Sequence, residues 1–324
     1  MATPHKTQTR RLQGRMDLPV TDRTDPGDVH SLPQPTTDHN VYTLGSINGH
    51  NIVISGLATT GNNSAATVVT QMRATFRRIR FCLVVSTGSG VPTRTDDGDV
   101  RLGDVVVSKP VGEHSGVIKF HHGKAEAGRF KRTGYLAPPP ATLLNAAQMM
   151  AVSLEIRIGR EQGDPLLENL KRVPTEGPIF QKYKFPGRSQ DHLYSGTTCQ
   201  EWEYQSDQRS RPVGITDAQD QDPDPQVIVH RGTIASGEWV IMDSYLRDIF
   251  AKECGALCFE TEAAGALDDF PCLVIRGISD YADSHKTKQW KGYAAAVAAA
   301  YARQLFFYLP VDEVEQCMIP EKGR

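Results

Sequence analysis

The sequence predicts an α/β fold built around a mixed, largely buried sheet. Three observations carry that expectation. Short apolar runs alternate with longer stretches at helical spacing. Some runs, such as Phe81 to Ser86 (FCLVVS), are apolar on both faces, as a central parallel strand would be. Acidic residues stand at the ends of two runs, Leu257 to Phe259 and Cys272 to Ile275. That is where open α/β sheets place their chemistry.

In chain order, residues 1 to 36 are poor in apolar side chains and rich in Thr, Asp, Pro and Arg. They are expected to form a solvated tail. Val41 to Leu44 and Asn51 to Ile54 read as a hairpin with Ile47-Asn48-Gly49-His50 as its turn. The polar loop Thr59 to Ser64 feeds a helix from about Ala65 to Arg77. Asn63 or Ser64 can cap that helix, and its free N–H groups can instead hold an anion. Phe81 to Ser86 ends at the small-residue loop Thr87-Gly88-Ser89-Gly90. Asp104 to Ser108 and Gly116 to Phe120 read as strands, and Ala141 to Ile156 has helical spacing. Residues 157 to 225 are polar and irregular and read as an insertion with short elements. Val227 to Ile234 is a further strand, and Met242 to Cys254 an amphipathic helix. A last, alanine-rich helix runs from Trp290 to Tyr308, with Tyr293, Val297, Tyr301 and Leu305 as a core stripe. The main domain is thus expected over 37 to 312, with a second tail over 313 to 324.

Composition narrows the function classes. The chain has 324 residues, 39% apolar and 23% charged, which suits a soluble globular protein. A net charge of −2 gives no basic field for nucleic acid. No stretch approaches the roughly 18 apolar residues of a membrane span, and the N-terminus has no apolar signal core. A cytoplasmic location is expected. The six cysteines are scattered, several of them within apolar runs, which suits reduced, buried thiols. Cys254 and Cys258 lack the second pair that zinc requires, so no metal site is expected.

The chemistry-bearing stretch is Leu257 to Lys286. Glu260 and Glu262 are two apart and share a face if the segment is extended. A carboxylate accepts two hydrogen bonds, which suits the vicinal hydroxyls of a ribose. Asp280 follows a buried run, and a carboxyl buried away from cations keeps its proton and can donate it. Arg276, four residues earlier, can instead hold Asp280 ionised, and Asp280 can also act as a cap for the turn from Tyr281 to His285.

Several segments together resemble the purine nucleoside phosphorylase and nucleosidase superfamily, and within it the fungal nucleoside-phosphorylase-domain group. They are YTLGSINGHNIVI, NNSAATVVTQM, DVRLGDVVVS, VHRGTIASG, FETEAAGALDDFPCLVIRGISDYADSHK and YAAAVAAAYARQL, in family order between about Asn40 and Leu309. The resemblance implies a single-domain α/β sandwich with a central mixed sheet flanked by helices. It implies that Asp280 is the acid at purine nitrogen 7 and that Glu262 binds the ribose hydroxyls. Thr87, Gly88 and Ser89 match the loop under ribose and base. Val240 and Ile241, after Ser236-Gly237, match the segment whose backbone reads the purine edge. Thr261 stands where the family usually has Met. Glu260 and Asp283 are expected to support or cap.

The resemblance also frames what attacks. Phosphorylases surround phosphate with cationic donors. Val84 stands where bacterial phosphorylases have Arg, and Thr59 to Ser64 is neutral and shorter than the usual loop. Hydrolysis of a purine nucleoside or nucleotide is therefore expected, with no cofactor. Phosphorolysis by the same site, with inorganic phosphate as co-substrate, is the alternative. A third reading is a repurposed or non-catalytic protein, for example in a fungal biosynthetic pathway. It arises because relatives begin with a strand and an Ala-Leu-Pro-x-Glu-like segment, whereas before Tyr42 only Leu18-Pro19 echoes it here, with Thr21 and no Glu. The expected partner is a small purine nucleoside or nucleotide, with no nucleic acid and no membrane. Relatives assemble as dimers to hexamers, so a homo-oligomer is expected.

Overall fold

The structure is a computed structural model that describes residues 34–160, 162–195, 203–205 and 227–316. The expected tails over 1–36 and 313–324 fall largely outside the described residues, and so do 196–202 and 206–225 of the expected insertion. So do Cys199 and Cys317.

The chain opens with a hairpin, β1 (Tyr42–Ile47) and β2 (His50–Ser55), closed by Asn48 at φ 49° and Gly49 at φ 83°. Positive φ at both central residues is the turn whose twist matches paired strands, and Asn-Gly supplies it. Helix α1 (Asn62–Thr75) follows, then β3 (Cys82–Gly90), β4 (Val105–Ser108) and β5 (Val117–Lys119). Helices α2 (Ala141–Gly159) and α3 (Pro165–Leu170) lead to β6 (Val229–Ser236) and α4 (Ser244–Cys254). The last third holds β7 (Ala256–Glu260), α5 (Ala263–Asp269), β8 (Cys272–Asp280), α6 (Lys291–Leu305) and α7 (Val311–Gln316). Helix α7 reaches into the stretch expected as a tail. Two small hairpins, Arg94–Thr95 with Gly98–Asp99 and Gly123–Glu126 with Arg129–Arg132, decorate the edges.

The central sheet is mixed, in the order β7-β3-β8-β4-β6-β5. Strand β6 pairs with β4 over Val229–Gly232 and with β7 over Thr233–Ser236, the β7 ladder shifting register between Thr233 and Ile234. That switch joins the first five strands into a closed circuit, with β5 beside the second half of β6. The strand ends therefore converge instead of fanning out. This convergence brings residues from β3, β6, β7 and β8 to one place.

All nine residues of β8 are buried, between parallel β3 and antiparallel β4. On α6 the stripe Tyr293, Val297, Tyr301 and Leu305 is buried, as its spacing predicts. Gly277 on β8 lets α6 approach, because a Cβ there would lie 1.9 Å from the Ala294 carbonyl oxygen. Gly277→Ala is expected to push α6 off the sheet and to cost about 3 kcal/mol. Denaturant unfolding reads that loss, and an unchanged midpoint would mean that α6 retreats freely.

Two local expectations are corrected. β3 is not buried on both faces: Val85 is 38% exposed and Ser86 is exposed. The hairpin β1–β2 pairs only with itself, and β3 meets β7 at Ser89 and Gly90 alone. Over residues 82–88 β3 thus has a strand on one side only among the described residues. The strand also runs on through Gly90, so Thr87, Gly88 and Ser89 lie on it and not in a loop.

Among the described residues, no helix is long and apolar enough to cross a membrane. Cys254, Cys258 and Cys272 are free and buried, and burial pushes all three thiols up.

Candidate active site

The expected residues meet where the strand ends converge. Ser236 is beside Glu260 in the β6–β7 ladder, and Asp280 is beside Ser89 in the β8–β3 ladder. A register shift between Ile278 and Asp280 interrupts β8. Such irregularities re-aim a side chain. Gly88 is needed for closeness, since a Cβ would lie 3.2 Å from both the Arg276 Cβ and the Phe259 carbonyl oxygen.

Asp280 is 5% exposed. Its Oδ1 accepts from the Ala282 N–H at 3.1 Å, and its Oδ2 accepts from the Ser279 hydroxyl at 2.9 Å. Ala282 is held at φ 55°, in the left-handed region that costs a residue with a Cβ about 1 kcal/mol or more. That local strain fixes the backbone just after the carboxylate. Asp280 caps the single Ala282 N–H, and no helix follows it directly.

The expectation that Arg276 faces Asp280 is corrected. Arg276 is fully buried and turns to the two glutamates instead. Its Nη2 donates to Glu260 Oε2, and its Nη1 donates to Glu262 Oε2 at 3.3 Å. The cation beside Asp280 is Lys286, with Nζ 3.3 Å from Oδ2 and 3.1 Å from the Ser89 hydroxyl. The carboxyl is therefore not buried away from cations. Lys286 lay within the quoted stretch without a role, and six residues of turn carry it back over the strand end.

Glu260 and Glu262 do not share a face of an extended segment. Glu260 ends β7, Thr261 turns, and Glu262 sits at the N-cap position of α5. Glu260 Oε2 accepts from the N–H groups of Glu262 and Ala263, which satisfies two donors of the helix start. Glu260 thus positions Glu262. Glu262 is 7% exposed, and its Oε1 accepts from the Thr261 hydroxyl at 2.5 Å. Each of its oxygens keeps capacity for a further donor.

Ser236 is fully buried and its hydroxyl is committed within the chain. It donates to Asn62 Oδ1 at 3.3 Å and accepts from the Ala264 N–H at 2.9 Å. Val240 is 60% exposed and Ile241 is buried. Asp283 supports, accepting from the His285 N–H at 2.9 Å, and burial pushes its carboxyl up.

The match to known proteins runs as follows. No family model matches the chain. It is 40% identical over 272 residues to a nucleotide-binding leucine-rich repeat (NLR)-like protein of Hyaloscypha variabilis, covering 84% of this chain and 26% of that protein. It is 36% identical over 104 residues to the ATP nucleosidase Cap17 of Escherichia coli, covering 28% of this chain and 20% of that protein. The chain is similar to nucleosidases. Among solved structures it resembles a Helicobacter pylori 5′-methylthioadenosine/S-adenosylhomocysteine nucleosidase bound to butyl-thio-DADMe-Immucillin-A, with a TM-score of 0.48 and 16% identity over 85% of each chain. It also resembles the futalosine hydrolase of the same organism, with a TM-score of 0.48, 15% identity, and 85% and 84% coverage. The chain spans about a quarter of the length of the fungal relative and a fifth of the bacterial one.

Near Asp280 and Glu262 stand residues that sequence reasoning gave no part in the site. Arg247 of α4 is 4% exposed and donates to the Tyr281 carbonyl at 2.8 Å, tying α4 to the turn after Asp280. Tyr194 stacks on His285 at 4.0 Å. Asn62 and Glu238, 176 residues apart, touch at the start of α1. None of these pairs has a spacing that announces it. The expectation that Asn63 or Ser64 caps α1 is also corrected: Gly61 is the N-cap residue, with no side-chain cap, and Ser64 accepts from the Thr59 hydroxyl. Among the described residues no group of His, Cys, Asp or Glu is arranged to hold a metal ion.

Proposed function

We propose that this chain hydrolyses the N-glycosidic bond of a purine nucleoside or nucleotide. The observation that carries the reading is the meeting of Asp280 and Glu262 where the sheet ends converge, one paired with Lys286 and the other with Arg276. Loss of a purine from ribose builds negative charge on the base and positive charge on the sugar. A proton source at the base and a carboxylate at the sugar oppose both.

Glu262 receives the ribose hydroxyls, steadied by Glu260 and Arg276. The bond from the sugar to the base nitrogen breaks, and its electron pair goes onto the base. The base takes a proton from the Asp280–Lys286 pair. Water bonds to the sugar carbon and gives up a proton to solvent, from which the Asp280–Lys286 pair regains the one it passed to the base.

Water is favoured over phosphate as the attacking group because the cations of the site are already engaged. Arg276 binds two carboxylates, and Lys286 binds Asp280. The loop Thr59 to Ser64 and the strand residues Ser86 to Ser89 carry no positive charge. The test is chromatography of the chain with a panel of purine nucleosides and nucleotides, with and without phosphate. Free base without any need for phosphate is the expected result. Ribose 1-phosphate formed only with phosphate would replace hydrolysis by phosphorolysis, and no turnover of any compound would refute both.

A further inference from the structure

We infer that Cys82 and Cys272 are an oxidation site, forming a reversible disulfide that braces β3 against β8 when the protein meets a peroxide. The inference stands apart from the proposed hydrolysis and does not depend on it.

The two cysteines meet at the foot of the central ladder. Strand β3 begins at Cys82 and β8 at Cys272, and these are the first pair in register between the two strands. Neighbouring strands lie about 4.8 Å apart, and a disulfide accepts a Cα separation of about 4.4 to 6.8 Å. The sulfurs are already in contact, because the two thiols are hydrogen-bonded to one another. The Cys272 thiol also donates to the Phe270 carbonyl at 3.0 Å, which leaves its sulfur to accept from the Cys82 S–H. The other two described cysteines stand elsewhere. Cys254 ends α4 and donates to the Phe250 carbonyl at 2.7 Å, and Cys258 on β7 is beside Gly90.

Access decides which thiol reacts first. Cys272 is fully buried, whereas Cys82 is partly exposed. Over residues 82–88 β3 has a strand on one side only among the described residues, so a small oxidant approaches Cys82 from the open edge. Burial keeps the Cys272 thiol protonated, so it acts second. In the first step the Cys82 sulfur, having lost its proton to solvent, bonds to one oxygen of hydrogen peroxide. The O–O bond breaks, and hydroxide leaves and takes up a proton as water. Cys82 is now a sulfenic acid. In the second step the Cys272 sulfur bonds to the Cys82 sulfur. The S–O bond breaks, and the hydroxyl leaves as water with the Cys272 proton. Two thiols lose two electrons, and the peroxide becomes two waters.

The bridge that results is easy to undo. Paired Cβ atoms on adjacent strands are about 5 Å apart, against about 3.8 Å in a relaxed disulfide. Closing it draws β3 inward, and a strained bridge is the more readily reduced. That suits a transient bond among otherwise reduced thiols. The strand it secures is the one with an open edge, and it is secured to β8, whose nine residues are all buried. Thr87, Gly88 and Ser89 lie on the braced strand.

The test takes the whole reduced chain, treats it with a small molar excess of hydrogen peroxide, blocks the remaining thiols with iodoacetamide, and maps peptides by mass spectrometry without reductant. The expected product is a peptide pair joined at Cys82 and Cys272, two hydrogens lighter than its parts and separated again by dithiothreitol. The oxidised chain is expected to melt about 5 °C above the reduced one. Cys272→Ala should lose both the joined pair and the rise, and leave Cys82 as a sulfenic acid that dimedone captures. If that variant fails to fold, the map and the midpoint of the unaltered chain decide. Cys82 joined to a different cysteine would overturn the inference, as would Cys82 driven to sulfinic acid while Cys272 stays free. A bridge that leaves the midpoint unchanged or lowers it would overturn the bracing, and so would an equal rise in Cys272→Ala.

Discussion

Asp280→Asn is expected to lower release of free base by about 10² to 10⁴-fold while the thermal midpoint moves little. The amide keeps an oxygen for the Ala282 N–H but cannot pass a proton to the leaving base. Lys286 loses its partner, yet its side chain is 32% exposed and can turn to water. The loss should therefore fall on kcat, with KM changed less, because the proposed ribose-binding carboxylate, Glu262, is untouched. Lys286→Met is the companion variant. If the proton is held by the pair, it should reshape the pH profile of kcat as well as lower it. Full activity in Asp280→Asn would end the assignment of Asp280 as the acid.

Arg276→Met should have the largest effect on stability, about 3 to 5 kcal/mol. The guanidinium is fully buried between Glu260, 6% exposed, and Glu262, 7% exposed. Removing it leaves two buried carboxylates two residues apart with no cation. A loss of that size corresponds to a fall of about 10 °C in the thermal midpoint. Adding Glu260→Gln and Glu262→Gln to the same protein should recover part of the fall, since the uncompensated charge is then gone. A midpoint within about 2 °C of the unaltered chain would mean that the ion pairs contribute little. Activity is expected to fall too, because Glu262 is steadied by Arg276 on one oxygen and by Thr261 on the other.

The site was unevenly legible in the sequence. Asp280 and Glu262 stood out as carboxylates at the ends of apolar runs, and the family resemblance gave them expected roles. Their partners did not stand out. The four-residue spacing suggested Arg276 for Asp280, but the backbone of β8 is extended, so residues four apart lie about 13 Å apart along the strand. Lys286 is further off in sequence and nearer in space, because the strained turn at Ala282 folds the chain back. Ser236 looked like a ligand contact by position, yet its hydroxyl joins two helix starts.

By itself the sequence determined the type and order of the elements. Periodicity and turn chemistry are local, so the Asn-Gly hairpin, the core stripe of α6 and most strands were readable within a few residues. It also determined which residue types the site can use. Tertiary structure alone decided how β6 switches partners and closes the sheet, which cation meets which carboxylate, and that Glu238 caps a helix 176 residues before it. The physical reason is that these are contacts between groups far apart in the chain. Strand register and helix docking set them, and no spacing in the sequence records them.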